Sequence, residues 1–267
     1  MSERAAGIPG GLYIPAAVGG GLLLLPLIAL LARIDWATIP NMLVAPETAN
    51  ALRVSLVTAA TATALCLVLG IPLALVIARA RGWLATALRA LVTLPLVLPP
   101  LVGGLALLSL LGRGGVLGDW LAELGIRIPF TTVAVIIAQT FVALPFLVIS
   151  VEGALRSLHP EYEEAAATLG ASPTSVLFRI TIPLIAPGLV AGTILSFTRA
   201  LGEFGATALF AGNAAGTTRT VPMAIYTAFN GAGVTQDTAL ALSLILIAVA
   251  VTALAVLRGR TSSAARA

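Results

Sequence analysis

The chain has 267 residues, of which 59% are hydrophobic and 10% are charged. A soluble domain is about a quarter charged, so this composition indicates a membrane protein with several spans rather than a soluble one. The net charge is +4, and every basic residue is arginine. A chain without lysine has no ordinary phosphate-binding P-loop. It also has no basic cluster interleaved with aromatic residues, which excludes the usual signature of nucleic-acid binding.

Six apolar stretches are long enough to cross a bilayer, whose hydrocarbon core of about 30 Å needs roughly 20 apolar residues per helix. They cover residues 12–32, 54–78, 84–111, 130–151, 184–211 and 239–257. We therefore predict an all-α polytopic membrane protein with about six transmembrane helices. The first stretch exceeds the apolar core of a signal peptide and lacks a clean cleavage site, so we expect a retained helix.

The distribution of arginine predicts the orientation. One set of joints and tails holds nine arginines, namely Arg4, Arg79, Arg81, Arg89, Arg156, Arg179, Arg258, Arg260 and Arg266. The opposite set holds five, namely Arg33, Arg53, Arg113, Arg127 and Arg219. The arginine-rich side of a membrane protein is normally cytoplasmic. We therefore predict a cytoplasmic tail over 1–11, one transmembrane domain over 12–257 and a second cytoplasmic tail over 258–267, in the cell membrane.

The third stretch is interrupted by proline and glycine in the run "TLPLVLPPLVGG". Proline removes a backbone donor and clashes with the preceding helical turn. In lipid such a break survives only where neighbouring helices or a water-filled cavity satisfy the freed groups. Pro99 and Pro100 therefore mark either a kinked packing helix or a helix that lines a translocation path.

The fourth and fifth stretches carry polar residues at membrane depth. Gln139 is expected to join two helices by a side-chain hydrogen bond, and it is also a candidate for the translocation path. Arg199 and Glu203 are four residues apart, which predicts an ion pair on one helix face. Such residues face a bundle interior or a wet cavity, so the pair either fixes packing or forms a gate on the path of an anion. Gly188 and Gly192 predict close helix packing.

The most polar part of the chain is the segment 160–183, "PEYEEAAATLGASPTSVLFRITIP". Pro160 and the glutamates after it predict a helix start, and Gly170 predicts its end. Ser172 and Pro173 predict the start of a second helix. The arginine count places the segment in the cytoplasm. Its acidic start suits an anionic lipid surface poorly, so a protein partner fits better.

Part of this segment resembles the EAA loop of ABC importer permeases. The matching run is Glu164-Ala165-Ala166, then Gly170, then Ile180-x-Ile182-Pro183, with Ile182 where that family usually has leucine. The resemblance implies a coupling helix that docks into a separate ATPase subunit. It implies the coupling residues Glu161, Glu164, Ala165, Ala166, Gly170 and Pro183.

A wider resemblance covers residues 12–257. The runs "LPLVLPPLVGGLALL", "AQTFVALPFLVIS" and "SFTRALGEFGAT" are similar to the molybdate branch of this family. The resemblance implies a type I ABC importer permease fold and a homodimer with a pore on its two-fold axis. It also implies two ATPase copies that hold ATP and magnesium, and an external oxyanion-binding protein. This chain would itself bind no cofactor.

These features predict a permease subunit that translocates molybdate or tungstate. The related sulfate/thiosulfate permeases are the alternative within the family. An ion-coupled secondary transporter is an alternative of another class, but it would leave the segment 160–183 unexplained. One histidine and one cysteine give no metal-ligand cluster and no catalytic set, so we expect neither a metal site nor an enzyme.

Overall fold

The computed structural model describes residues 9–230 and 236–264, and in this part of the chain it contains helices and no strands. The first seven α-helices are α1 (Tyr13–Ala32), α2 (Ile39–Val44), α3 (Pro46–Arg79), α4 (Gly82–Val97), α5 (Pro100–Leu111), α6 (Gly118–Glu123) and α7 (Thr132–Ser157). The next seven are α8 (Glu161–Thr168), α9 (Pro173–Val176), α10 (Ile182–Leu184), α11 (Ala186–Leu201), α12 (Gly205–Phe210), α13 (Val221–Phe229) and α14 (Gln236–Ala264). A π-helical turn over Leu177–Thr181 joins α9 to α10.

Each of the six predicted stretches has a helical counterpart. Among the described residues three helices are long and apolar enough to cross a membrane, namely Gly10–Ala32, α3 and α7. Two bent pairs raise this number to as many as five: α4 with α5, bent by 113°, and Pro173–Leu184 with α11, bent by 71°. The apolar part of α14, Asp237–Ala253, is shorter. The break in the third stretch lies where its prolines predicted an interruption, whereas the fifth stretch, which we predicted as a single helix, divides into α11 and α12.

Several helices extend beyond the apolar stretches that predicted them. α3 begins at Pro46, in the favoured first position of a helix, and its polar first turns are packed, since Thr48 is buried. α14 continues to Ala264, so the predicted tail over 258–267 begins inside a helix. Residues 1–8 of the predicted N-terminal tail and residues 265–267 lie outside the described part of the chain.

The core is built by α3, α7 and α11, which approach one another through small residues. A Cβ atom added to Gly188 would lie 2.5 Å from the Cβ of Ala154, and one added to Gly192 would lie 2.9 Å from the Cβ of Ser150. The Ser150 hydroxyl also donates a hydrogen bond to the Gly188 carbonyl at 2.8 Å. The predicted close approach through Gly188 and Gly192 is therefore confirmed, and α7 is the helix they contact.

A second cluster packs α5, α7 and α12 together around buried Phe210. A third joins α3, α13 and α14 around Leu242, and there the Val221 amide donates to the Ser55 hydroxyl at 2.7 Å. By contrast, α1 has no buried residue. The molecule is thus a bundle of α3, α7 and α11, flanked by half-helices and by the peripheral α1.

Candidate functional site

The segment 160–183 begins as predicted. α8 starts directly after Pro160 with three glutamates in its first turn, where acidic side chains suit the positive end of the helix dipole. The helix ends at Thr168, and Gly170 two residues later has a φ of +83°, which favours glycine. The amides of Gly170 and Ala171 donate to the carbonyls of Ala167 and Ala166, at 2.9 and 3.0 Å. This hydrogen-bond pattern is a Schellman motif.

The second half of the segment also starts at the predicted residues. The Ser172 hydroxyl accepts a hydrogen bond from the Ser175 amide at 3.3 Å, and Pro173 is the first helical residue. The helix then passes through the π-helical turn to Leu184, where the chain bends by 71° into α11. The predicted arrangement of helix, bend and helix is confirmed, and the segment leads directly into α11.

Glu163 anchors this segment to the bundle. Its Oε1 accepts a hydrogen bond from the Thr181 hydroxyl at 2.5 Å and lies 3.4 Å from Nη2 of Arg79. Thr181 is fully buried, at the end of the second half of the segment. Arg79 is the last residue of α3. One carboxylate therefore holds the two halves of the segment together and joins them to α3.

The opposite face of the segment is exposed. Of the predicted coupling residues, Glu161, Glu164, Ala165, Gly170 and Pro183 are exposed and Ala166 is buried. Three large apolar side chains, Tyr162, Leu169 and Phe178, share this exposure, and Leu169 is 89% exposed at the bend. Exposed acidic and apolar groups side by side are suited to contact with another protein.

The break between α4 and α5 lies against the break between α11 and α12. α4 and α5 are separated at Leu98–Pro99, and α11 and α12 are separated at 202–204. A Cβ atom added to Gly205 would lie 2.7 Å from the Cβ of Pro100, and one added to Gly104 would lie 2.8 Å from the Ala206 carbonyl oxygen. Only glycine permits this contact, so the two breaks form one junction between α5 and α12.

The predicted ion pair forms at this junction, with one correction to its geometry. Nη1 of Arg199 lies 2.5 Å from Oε2 of Glu203. Glu203 does not lie on the same helix face, because α11 ends at Leu201. Its Oε1 instead accepts from the Ala206 amide in the first turn of α12 at 2.8 Å. The Glu203 side chain is 1% exposed and that of Arg199 is 27% exposed, so the guanidinium reaches solvent or lipid while the carboxylate does not.

Gln139 makes no side-chain hydrogen bond to the described residues of this junction. It is fully buried in α7, and neither of its amide atoms has a hydrogen-bond partner among the described residues. The predicted hydrogen bond to a neighbouring helix is therefore not made by any described residue.

A charged cluster that no sequence pattern predicted lies near the same end of the bundle as Arg79. Nε of Arg89 in α4 lies 2.6 Å from Oε1 of Glu152 in α7, and Nε of Arg156 lies 3.9 Å from the same oxygen. In the sequence, Arg89 and Arg156 contribute only to the arginine count that predicts orientation. The spacing of Glu152 and Arg156 was a local signal, but the partnership with Arg89 depends on how α4 packs. The described residues hold no cluster of histidine, cysteine or acidic side chains suited to a metal ion.

Comparison with known proteins gives the class of this chain. Residues 70–260 match the family described as binding-protein-dependent transport system inner membrane component, and the chain belongs to that family. It is 51% identical over 244 residues to the molybdenum transport system permease protein ModB of Mycobacterium tuberculosis, which is 91% of each chain. It is 41% identical over 208 residues to the sulfate transport system permease protein CysT of Escherichia coli K12, which is 77% of this chain and 75% of the other.

Solved structures agree on the fold. A bacterial ABC transporter that imports the acidic polysaccharide alginate has a chain similar to this one, with a TM-score of 0.68, 19% identity, and coverage of 93% of this chain and 94% of that one. The MetNI methionine ABC transporter gives a TM-score of 0.56 at 19% identity, over 78% of this chain and 94% of that one. The predicted all-α fold of a type I importer permease is confirmed, and the chain is a multi-pass inner membrane component.

Proposed function

We propose that this chain is the permease subunit of an ATP-binding-cassette importer that carries molybdate, and its analogue tungstate, into the cell. The observation that carries this proposal is the 51% identity with a molybdenum permease over 91% of both chains. The similarity to sulfate permeases is lower and covers less of the chain. Sulfate and thiosulfate therefore remain the alternative substrates.

The energy source would be a separate ATPase dimer. The chain has no lysine, so a P-loop cannot form, and ATP with magnesium would be bound by the partner. The segment 160–183 offers that partner a surface of exposed acidic and apolar side chains. The chain itself is a transport component and would hold no cofactor. An external oxyanion-binding protein would deliver the anion. A structure of the alginate transporter contains a periplasmic protein bound to an alginate pentasaccharide, which supports an external binding protein as a partner.

The contacts of Glu163 suggest how motion would pass into the membrane. Closure of the ATPase dimer would displace the segment 160–183. α3 would follow through the Arg79–Glu163 contact, and α11 would follow because the chain leads directly into it. α11 ends at the junction of the two broken spans. Nucleotide binding would thereby shift the balance between an inward-facing and an outward-facing state.

The junction is our candidate for the gate. Pro99 and Pro100 lie at one break, and Arg199 and Glu203 lie at the other. The partly exposed guanidinium of Arg199 would lower the electrostatic cost of a passing dianion. Gln139, which lacks a partner in this conformation, would gain hydrogen bonds in the alternative state.

A second copy of the chain would complete the pore. A groove of about 700 Å³ runs between α3, α11 and α14, and its walls are mostly apolar. α1, which has no buried residue, offers further surface to a second protomer. We therefore infer a homodimer in the inner membrane, with both termini in the cytoplasm as the arginine count predicts.

Complementation tests the substrate. In a bacterium that lacks its own molybdate permease, expression of this chain with its ATPase and binding protein is expected to restore a molybdenum enzyme at low external molybdate. Restoration of sulfate-dependent growth in a sulfate permease mutant, without rescue of the molybdenum enzyme, would overturn the assignment.

Co-purification tests the coupling surface. The variant Gly170→Val forces a β-branched residue into a positive φ at the bend, and Glu164→Ala removes an exposed carboxylate. Both are expected to weaken recovery of the ATPase with the permease. Val116→Ala changes an exposed residue at the other end of the bundle and is expected to leave recovery unchanged. Equal recovery for all three variants would contradict the coupling role.

A further inference from the structure

The joint between α5 and α7 encloses a cavity that the transport cycle described above does not use. Its volume is about 390 Å³, and its apolar lining is Leu108, Leu111, Gly118, Ala122, Ile126, Pro129 and Phe130. The joint folds back onto α5, since the amides of Val116 and Leu117 donate to the carbonyls of Ser109 and Leu110 at 3.2 and 2.8 Å. The cavity is therefore a formed part of the fold.

Two arginines, Arg113 and Arg127, complete the lining of this cavity. Both are exposed, and neither makes an ion pair or a hydrogen bond with any residue that the structure describes. The nearby carboxylate of Asp119 accepts a hydrogen bond from the Gly114 amide at 2.9 Å and forms no ion pair with them. The cavity thus combines apolar walls with two unpaired positive charges.

The position of the joint along α7 places it at a membrane surface. α7 has 26 residues and is about 39 Å long, close to the full thickness of a bilayer with its headgroups. The segment 160–183 follows its C-terminal end, so the joint before Thr132 lies at the opposite surface. Trp120 is 59% exposed there, and tryptophan is enriched at the level of the lipid headgroups.

We propose that this cavity binds an anionic phospholipid, whose phosphate contacts Arg113 and Arg127 and whose acyl chain lies against the apolar walls. A guanidinium matches a phosphate in charge and by two parallel hydrogen bonds. An acyl chain fits walls of leucine, isoleucine and phenylalanine. A free oxyanion would leave these walls in contact with water. The combination of charge and apolar volume favours a lipid over a small anion.

The experiment uses the permease with its ATPase, purified in mild detergent and titrated with phosphatidylglycerol in native mass spectrometry. Wild-type protein is expected to retain phosphatidylglycerol in preference to phosphatidylcholine. The double variant Arg113→Gln/Arg127→Gln is expected to bind it about tenfold or more weakly, because it loses two charges at the headgroup. The control Arg53→Gln removes an exposed arginine on the same side that does not line the cavity, and is expected to bind like wild type.

Competition separates the possible ligands. Inorganic phosphate, glycerol 3-phosphate and molybdate are expected not to displace the lipid, because none of them fills the apolar walls. Equal phosphatidylglycerol binding by wild type and the double variant would overturn the proposal. So would displacement by a free anion. Loss of binding-protein docking in the double variant, with lipid binding intact, would also overturn it and would assign the arginines to a protein contact.

Discussion

Three glutamates open α8, and they face different surroundings. Glu163 turns toward the bundle and contacts Thr181 and Arg79, whereas Glu161 and Glu164 are exposed. The sequence indicated the acidic helix start, but we predicted a coupling role only for the two exposed glutamates. It could not single out Glu163, because the partners of Glu163 are 18 and 84 residues away along the chain.

This difference predicts an unequal effect of two similar changes. Glu163→Ala removes the hydrogen bond from the buried Thr181 hydroxyl to a charged acceptor and leaves that hydroxyl only a longer contact with the Val176 carbonyl, at 3.4 Å. The change is expected to destabilise the segment by about 1–3 kcal/mol. The Arg79 contact contributes less, because an exposed ion pair is worth about 0–1 kcal/mol. Hydrogen–deuterium exchange over 161–184 should be faster in Glu163→Ala and unchanged in Glu161→Ala. Equal exchange in the two variants would show that Glu163 does not anchor the segment.

The ion pair of Arg199 and Glu203 was predictable as a pair but not in its geometry. Their spacing brought the charges together, yet the break at 202–204 lets Glu203 bind the first turn of α12. Just after the break Gly205 packs against Pro100, a contact that no local pattern contains.

A double-mutant comparison tests whether this pair stabilises the fold. Arg199→Gln leaves a buried carboxylate without its cation and should lower stability, by less than the about 3–5 kcal/mol typical of a fully buried pair. The double variant Arg199→Gln/Glu203→Gln removes both charges and should regain part of that loss. Thermal unfolding in detergent measures the double variant and the two single variants, Arg199→Gln and Glu203→Gln. If the double variant is as unstable as the sum of its single variants, the two residues do not interact.

At the scale of the helices, the sequence predicted that α11 packs closely against another helix but did not identify that helix as α7. Gly188 and Gly192 predicted close packing, and their four-residue spacing was sufficient for that. The identity of α7 as partner required the fold, since no local pattern marks Ser150 and Ala154 as the contacts of Gly192 and Gly188. The bend angles of the broken helices could not be predicted from the sequence either, because proline and glycine mark a break without fixing its direction.

Two alanine substitutions separate packing from helix propensity. Gly188→Ala would bring two Cβ atoms to 2.5 Å and force α7 and α11 apart, at an expected cost of about 1–3 kcal/mol. Gly153→Ala adds the same atom to α7, where nothing lies within 4 Å, and should be neutral or stabilising by about 1 kcal/mol. The melting temperature is therefore expected to fall for the first variant only. A similar fall for both would contradict the packing described for Gly188.

At the scale of the whole molecule, the all-α membrane fold and the family followed from apolar length and one motif. The predicted number of six spans did not, because at most five described helices or bent pairs are long and apolar enough to cross a membrane. The sidedness rests on arginine counts, and the structure provides residues that test it. Leu169 and Val116 are 89% and 83% exposed, on segments that precede and follow membrane-spanning helices at opposite ends of the bundle.

Cysteine labelling measures the sidedness. In a Cys66→Ala background, Val116→Cys is expected to react with a membrane-impermeant maleimide in right-side-out vesicles, because its joint faces outward. Leu169→Cys should react only after the vesicles are opened, because the segment 160–183 faces the cytoplasm. The reverse pattern would place the coupling surface on the wrong side for an ATPase.

The most direct measurement of the central claim is ATP-dependent uptake into vesicles that contain this chain, its ATPase and the external binding protein. We expect molybdate and tungstate to enter only when ATP is supplied to the ATPase side, and excess sulfate to leave that uptake unchanged. Uptake that sulfate abolishes would identify a sulfate permease. Uptake that continues without the ATPase, driven by an ion gradient, would contradict the account altogether.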